Sequence, residues 1–141
     1  MKTSIKTLLA AVLILAAAPA QAAQIDVPAL VQTIIQAESS GRAHVAGDGG
    51  KARGLMQIQR ATWERYSTES WDRAFDPATN RAVGERIVRD IIRRQGAAAT
   101  PARVVFEYNT GRRPKAVLPA WTLNHPNRIY RTVFLAERGG R

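Results

Sequence analysis

Apolar residues recur along this chain with helical spacing, broken by clusters of glycine, proline and small polar residues. Val27, Leu30, Val31, Ile34 and Ile35 fall on one side of a wheel drawn at about 100° per residue. Asp26 is placed to cap that segment, which runs to about Ser39, and Gly41 lies just past its end. Ala43 to Arg53 is polar and glycine-rich (Gly47–Asp48–Gly49–Gly50), a pattern for a loop or short hairpin. A second helix is predicted over Arg60–Tyr66. Asp76–Pro77 pairs a capping aspartate with a proline at the first helical position, so a third helix starts there. It turns Val83, Ile87 and Ile91 to one face and stops near Gly96. Thr100–Pro101 opens a fourth helix through Val104, Val105 and Tyr108, closed by Gly111. Arg112 to Pro119 reads as loop. Asn124 to Pro126 opens the last helix, which contains Ile129, Tyr130, Val133 and Phe134. The expected fold class is therefore mainly α, a single compact helical domain with a short loop or hairpin region. No internal repeat or linker supports a second domain.

One residue breaks the pattern. Glu38 falls near the centre of the first helix's apolar stripe, a face that a helix normally turns toward the core. Burial disfavours the charged carboxylate and raises its pKa. A carboxylic acid that stays protonated near neutral pH can deliver a proton as a general acid. The plainer alternative is a buried polar side chain satisfied by backbone at a helix end.

The N-terminus has a different character. Lys2 and Lys6 form a basic stretch, Leu8 to Ala18 an apolar run, and Ala20–Gln21–Ala22 an A-x-A cleavage pattern. That is the signature of a secretory signal peptide over residues 1–22, with the domain over 23–141. The apolar run is short for a membrane span, which needs about 20 residues, so an uncleaved anchor is the weaker alternative. Export makes the expected location periplasmic or otherwise extracytoplasmic.

Charge sharpens this. Lys and Arg number 21 against 11 Asp and Glu, a formal charge of +10 that becomes +8 without Lys2 and Lys6. Such a balance suits a polyanionic partner, and export points away from nucleic acid and toward cell wall or a membrane surface. A solvated basic face accounts for many of the arginines as well. With no cysteine, the domain is held by packing alone. His44 and His125 are the only histidines, so no metal site and no cofactor is expected.

Taken in order, the segments Glu38–Ser39, Gly54–Leu55–Met56–Gln57, Tyr108–Asn109–Thr110–Gly111 and Tyr130 form a specific set. Phe75–Asp76–Pro77 with Asn80 and Gly84 adds a further piece. The set resembles the lysozyme-like lytic transglycosylases, the soluble-transglycosylase catalytic domain, over essentially all of residues 23–141. The resemblance implies a lysozyme-like fold and cleavage of the MurNAc–GlcNAc β-1,4 bond of peptidoglycan without water, giving 1,6-anhydro-MurNAc ends. It implies that Glu38 first protonates the leaving oxygen and then takes a proton from the sugar's C6 hydroxyl. No second carboxylate is needed.

Other roles follow from the same resemblance. Ser39 lies beside the acid, near substrate. Gly54 to Gln57 line the cleft, with the Gln57 amide meeting a sugar N-acetyl or hydroxyl group. Met56 packs under a sugar ring, with core filling as an equal account. Tyr108 and Asn109 face Glu38 across the cleft, the tyrosine hydroxyl orienting the carboxyl group. Tyr130 is the least specific member, since an isolated tyrosine in an amphipathic helix is commonly core. Trp63, Trp71 and Trp121 read as core and rim packing, and Glu107 as an exposed helix charge.

Gly47–Asp48–Gly49–Gly50 also resembles goose-type lysozyme, in which an aspartate at this place helps position an attacking water. Asp48 is thus a possible second carboxylate, although the position of that enzyme's other aspartate holds Gln59 here, and turn chemistry alone selects aspartate in such a loop. The alternatives are accordingly a hydrolytic muramidase using Glu38 and Asp48, or a non-catalytic peptidoglycan-binding assembly factor. A small single-domain enzyme of this kind resembles those serving secretion, conjugation or pilus machines, whose components would be its partners beside the glycan strands.

Overall fold

The computed structural model describes residues 24–140, so the signal peptide expected over residues 1–22 lies outside the described residues. Five α-helices carry the fold. They are α1 (Val27–Ser39), α2 (Arg60–Tyr66), α3 (Pro77–Gln95), α4 (Pro101–Thr110) and α5 (Arg128–Gly139). Three two-residue strands, β1 (Ala46–Gly47), β2 (Ala52–Arg53) and β3 (Ile58–Gln59), form an antiparallel sheet in sequence order. Ala46 pairs with Arg53, and Arg53 with Ile58. The mainly helical, lysozyme-like class expected from the sequence is the one observed.

Local chemistry explains the helix ends. Asp26 accepts the Ala29 N–H at 3.0 Å, and Asp76 accepts the Thr79 N–H at 2.8 Å. Those two aspartates satisfy donors that a helix start leaves orphaned. Hydrogen bonds from Thr79 also hold the Asp76 carboxyl below its ordinary pKa. Thr100 caps α4, and Gly111 ends it at φ 67°, a left-handed conformation that glycine takes without steric cost. The last helix begins later than the sequence suggested. A 3-10 turn occupies Ala120–Asn124, and Asn127 caps α5, accepting from the Ile129 and Tyr130 N–H groups.

The core is one cluster in which α3 packs against α1, α2 and α4, and α5 closes over α1 and α4. Val31, Ile34, Val83, Val88, Val104 and Val105 have no exposed surface. Burying each such aliphatic side chain contributes about 1.5–3 kcal/mol. Trp63 is wholly enclosed and donates its indole N–H to the Glu69 carbonyl, whereas Trp121 is 47% exposed. The Arg112–Pro119 loop is pinned by the Arg103 guanidinium, which donates to the carbonyls of Pro114, Lys115 and Ala116.

Asn80 ties the sheet region to α3. Its side chain is fully buried, accepts the Met56 N–H at 2.9 Å and donates to the Ala74 and Arg53 carbonyls. This fixes the segment from Gly54 to Gln57 against the helix. Gly54 stands at φ 79°, and a Cβ there would lie 2.1 Å from the Ala74 carbonyl oxygen. Only glycine fits both demands.

Candidate active site

A cleft of about 470 Å³ runs between the sheet region and helices α2, α3 and α4. That volume lies within the usual range for a small-molecule site. Of the residues singled out in the sequence, Glu38, Asp48, Gln57, Tyr108 and Asn109 line it, while Ser39, Gly54, Met56 and Tyr130 do not.

Glu38 sits in the last turn of α1, where the apolar stripe delivers it to the cleft half-buried. Loss of solvent raises its carboxyl pKa above the ordinary glutamate value, and a hydrogen bond from Tyr130 opposes part of that rise. The partner differs from the one expected. Tyr130, 1% exposed, donates its hydroxyl to Glu38 Oε1 from behind the cleft wall. Tyr108 instead donates to the Met56 carbonyl oxygen at 2.7 Å. The helix packing accounts for it: α5 lies against α1 and sets Tyr130 on Glu38, while Tyr108 on α4 reaches the Met56 carbonyl. Both tyrosines have raised pKa values, through desolvation first and the neighbouring Glu38 charge second, so their hydroxyls stay protonated.

Asn127 supports the Glu38–Tyr130 contact. Its Nδ2 donates to the Ala37 carbonyl at 2.8 Å while its Oδ1 caps α5. One side chain thereby joins the residue preceding Glu38 to the turn that carries Tyr130. His125 packs on Tyr130 and Phe134, and its Nδ1 accepts the Asn127 N–H. The sequence signal for Asn127 was an asparagine immediately before an amphipathic run, which the nearby Asn124–His125–Pro126 obscured.

The geometry departs from several other expectations. Met56 is completely buried against α3, where a Cβ at Gly84 would come within 2.0 Å of its sulfur. Its side chain fills core and no sugar ring can reach it. Ser39 is 2% exposed and returns its hydroxyl to the Ile35 carbonyl, so it does not face substrate. Gln57, at φ 45°, donates its side-chain amide to the Val45 and Gly54 carbonyls at 2.9 and 3.0 Å. Those bonds hold the loop, with Oε1 lying against Gly47. Asn109 is exposed on the cleft wall, its side chain without a partner among the described residues.

Glu107 is buried and not an exposed charge. It accepts Arg94 Nη2 at 2.7 Å and Gln95 Nε2 at 2.8 Å. Arg94 also pairs with Asp90, which in turn accepts the Tyr66 hydroxyl at 2.5 Å. Burial is tolerated because each oxygen has a donor. Among the described residues no group of three or more His, Cys, Asp or Glu side chains is placed to hold a metal ion.

A family model for the transglycosylase SLT domain matches residues 15–118, most of the chain. The chain belongs to the transglycosylase SLT domain family. Membership makes peptidoglycan the substrate and lytic transglycosylase the class of activity. The match covers Glu38, Gln57, Tyr108 and Asn109 and ends before the helix that carries Tyr130. No curated protein and no solved structure matches the chain.

Proposed function

We propose that this SLT-domain protein cuts the MurNAc–GlcNAc β-1,4 bond of peptidoglycan without water, using Glu38 as the single acid and base. The observation that carries the reading is the desolvated Glu38 carboxyl in the cleft, held by the buried Tyr130 hydroxyl on Oε1. With Oε1 engaged, the acidic proton sits on Oε2. That proton passes to the glycosidic oxygen as the C1–O bond breaks, leaving an oxocarbenium-like muramyl C1. The resulting carboxylate takes the proton of the C6 hydroxyl as O6 bonds to C1. No water is consumed, and Glu38 ends protonated as it began. Attack from within the same sugar gains from effective concentration. Asn109 supplies a polar contact along the cleft, Gln57 lines it, and Tyr108 positions the loop backbone at Met56.

The reading extends to export through the leader at residues 1–22 and to a periplasmic role. There the enzyme opens the wall locally for an envelope-spanning secretion, conjugation or pilus machine. Among the described residues no helix is long and apolar enough to cross a membrane.

One observation favours a second reading. Asp48 lines the same cleft as Glu38, with its side chain unpartnered among the described residues. In a hydrolytic muramidase it would position water. Clearing of purified peptidoglycan separates the two. Glu38→Gln is expected to lose activity by roughly 10²–10⁴-fold, the usual weight of a general acid, while Asp48→Asn stays near wild type. Full activity in Glu38→Gln would remove Glu38 as the acid, and collapse in Asp48→Asn would favour hydrolysis.

A further inference from the structure

The cleft contains two guanidinium groups, from Arg65 and Arg94, and their surroundings differ. Arg94 is neutralised by Asp90 and Glu107 and also donates to the Tyr66 hydroxyl. Arg65, in the last turn of α2, is exposed on the cleft wall with no ion pair and no side-chain hydrogen bond among the described residues. Its helix neighbour Glu64 is taken by Arg60 at 2.9 Å. Within the cleft, Arg65 is therefore the cation with donors free for a ligand.

The substrate's chemistry says what such a group would meet. Glycan rings carry hydroxyl and N-acetyl groups, all neutral. Anionic charge enters through carboxylates on the muramyl side arm. An arginine fork matches a carboxylate in two parallel hydrogen bonds, and charged pairs of that kind are the strong ones. We propose that Arg65 forms an anionic subsite of the cleft that binds a carboxylate borne by the muramyl side arm of peptidoglycan. The carboxylate belongs to the stem peptide or, where the peptide is missing, to the lactyl group. This selects peptidyl-substituted or otherwise anionic muramyl units over neutral amino-sugar polymers. The proposal rests on the peptidoglycan-cleaving function given above.

Its test is calorimetric binding in the Glu38→Gln background, which stops turnover, with and without Arg65→Gln. Three probes are compared: a disaccharide-peptide with free carboxylates, the same compound with those carboxylates amidated, and the peptide-free disaccharide with its lactyl carboxylate. Arg65→Gln is expected to weaken the free-carboxylate muropeptide by roughly three- to ten-fold, as for a partly solvated charge-assisted pair. The amidated compound should bind equally to both proteins. A loss confined to the peptide-free disaccharide would name the lactyl carboxylate, which is amide-linked and uncharged in both muropeptides, as the group bound. An equal loss on the amidated and carboxylate muropeptides, or no loss on any probe, would overturn the subsite. Cleavage by the wild-type protein is assayed on the same compounds. Absent cleavage with the binding difference intact would count against the proposed function alone.

Discussion

At the scale of single residues, the arrangement turns on how one carboxyl group is kept ready to give up a proton. Desolvation raises the Glu38 pKa, and the Tyr130 hydroxyl restrains that rise while occupying Oε1. Replacing Tyr130 by Phe removes the restraining bond, so the carboxyl pKa should climb further. The high-pH limb of the rate profile of Tyr130→Phe is then expected to move upward, with a lower maximal rate because the carboxyl rotamer is less fixed. A profile that keeps its shape and scales down uniformly would mean that Tyr130 serves packing alone. The position of Glu38 in the cleft was legible in the sequence from the motif segments around it, since an acid centred in an apolar stripe fits a buried polar residue at a helix end equally well. Tyr130 was not, because its partner is 92 residues away and a buried tyrosine in an amphipathic helix looks like core from the sequence alone.

Elements place these residues. α1 brings Glu38 to the cleft, α5 brings Tyr130 behind it, and Asn127 bridges the two through Ala37 O. Asn127→Ala removes both the cap of α5 and that bridge. Loss of the cap is expected to cost about 1 kcal/mol, with 0.5–2 the usual range, readable as a lower midpoint in urea. Activity should fall further than stability at permissive temperature, because Tyr130 loses its registration on Glu38. Equal stability with unchanged turnover would contradict the bridging role. Helices α1 to α4 were readable from capping residues and apolar spacing, both local signals. The start of α5 was misplaced because Asn124 and Asn127 are both capping residues within four positions; Asn124 ends a 3-10 turn, and Asn127, tied to Ala37 O, caps the helix. Glu107 was misread for a related reason. A helix charge reads as exposed until a partner from another element, here Arg94, covers it.

For the whole molecule, a half-buried acid with a raised pKa is a liability to folding at neutral pH. The native state holds its proton more tightly than the unfolded chain. Stability contributed by this group is therefore present below the ordinary glutamate pKa and lost as pH rises through the raised value. Glu38→Gln should consequently melt higher than wild type at pH 7. The gain should shrink toward zero near pH 4. A melting point unchanged at both pH values would mean that Glu38 carries no folding cost. The chemistry, by contrast, is decided by the products. Mass spectrometry of muropeptides released from purified peptidoglycan reads those products out. The expected ends bear 1,6-anhydro-MurNAc, unreactive to borohydride and lighter by one water than a hydrolytic product. Reducing MurNAc ends, heavier by that water, would contradict cleavage without water and move Asp48 into the catalytic site.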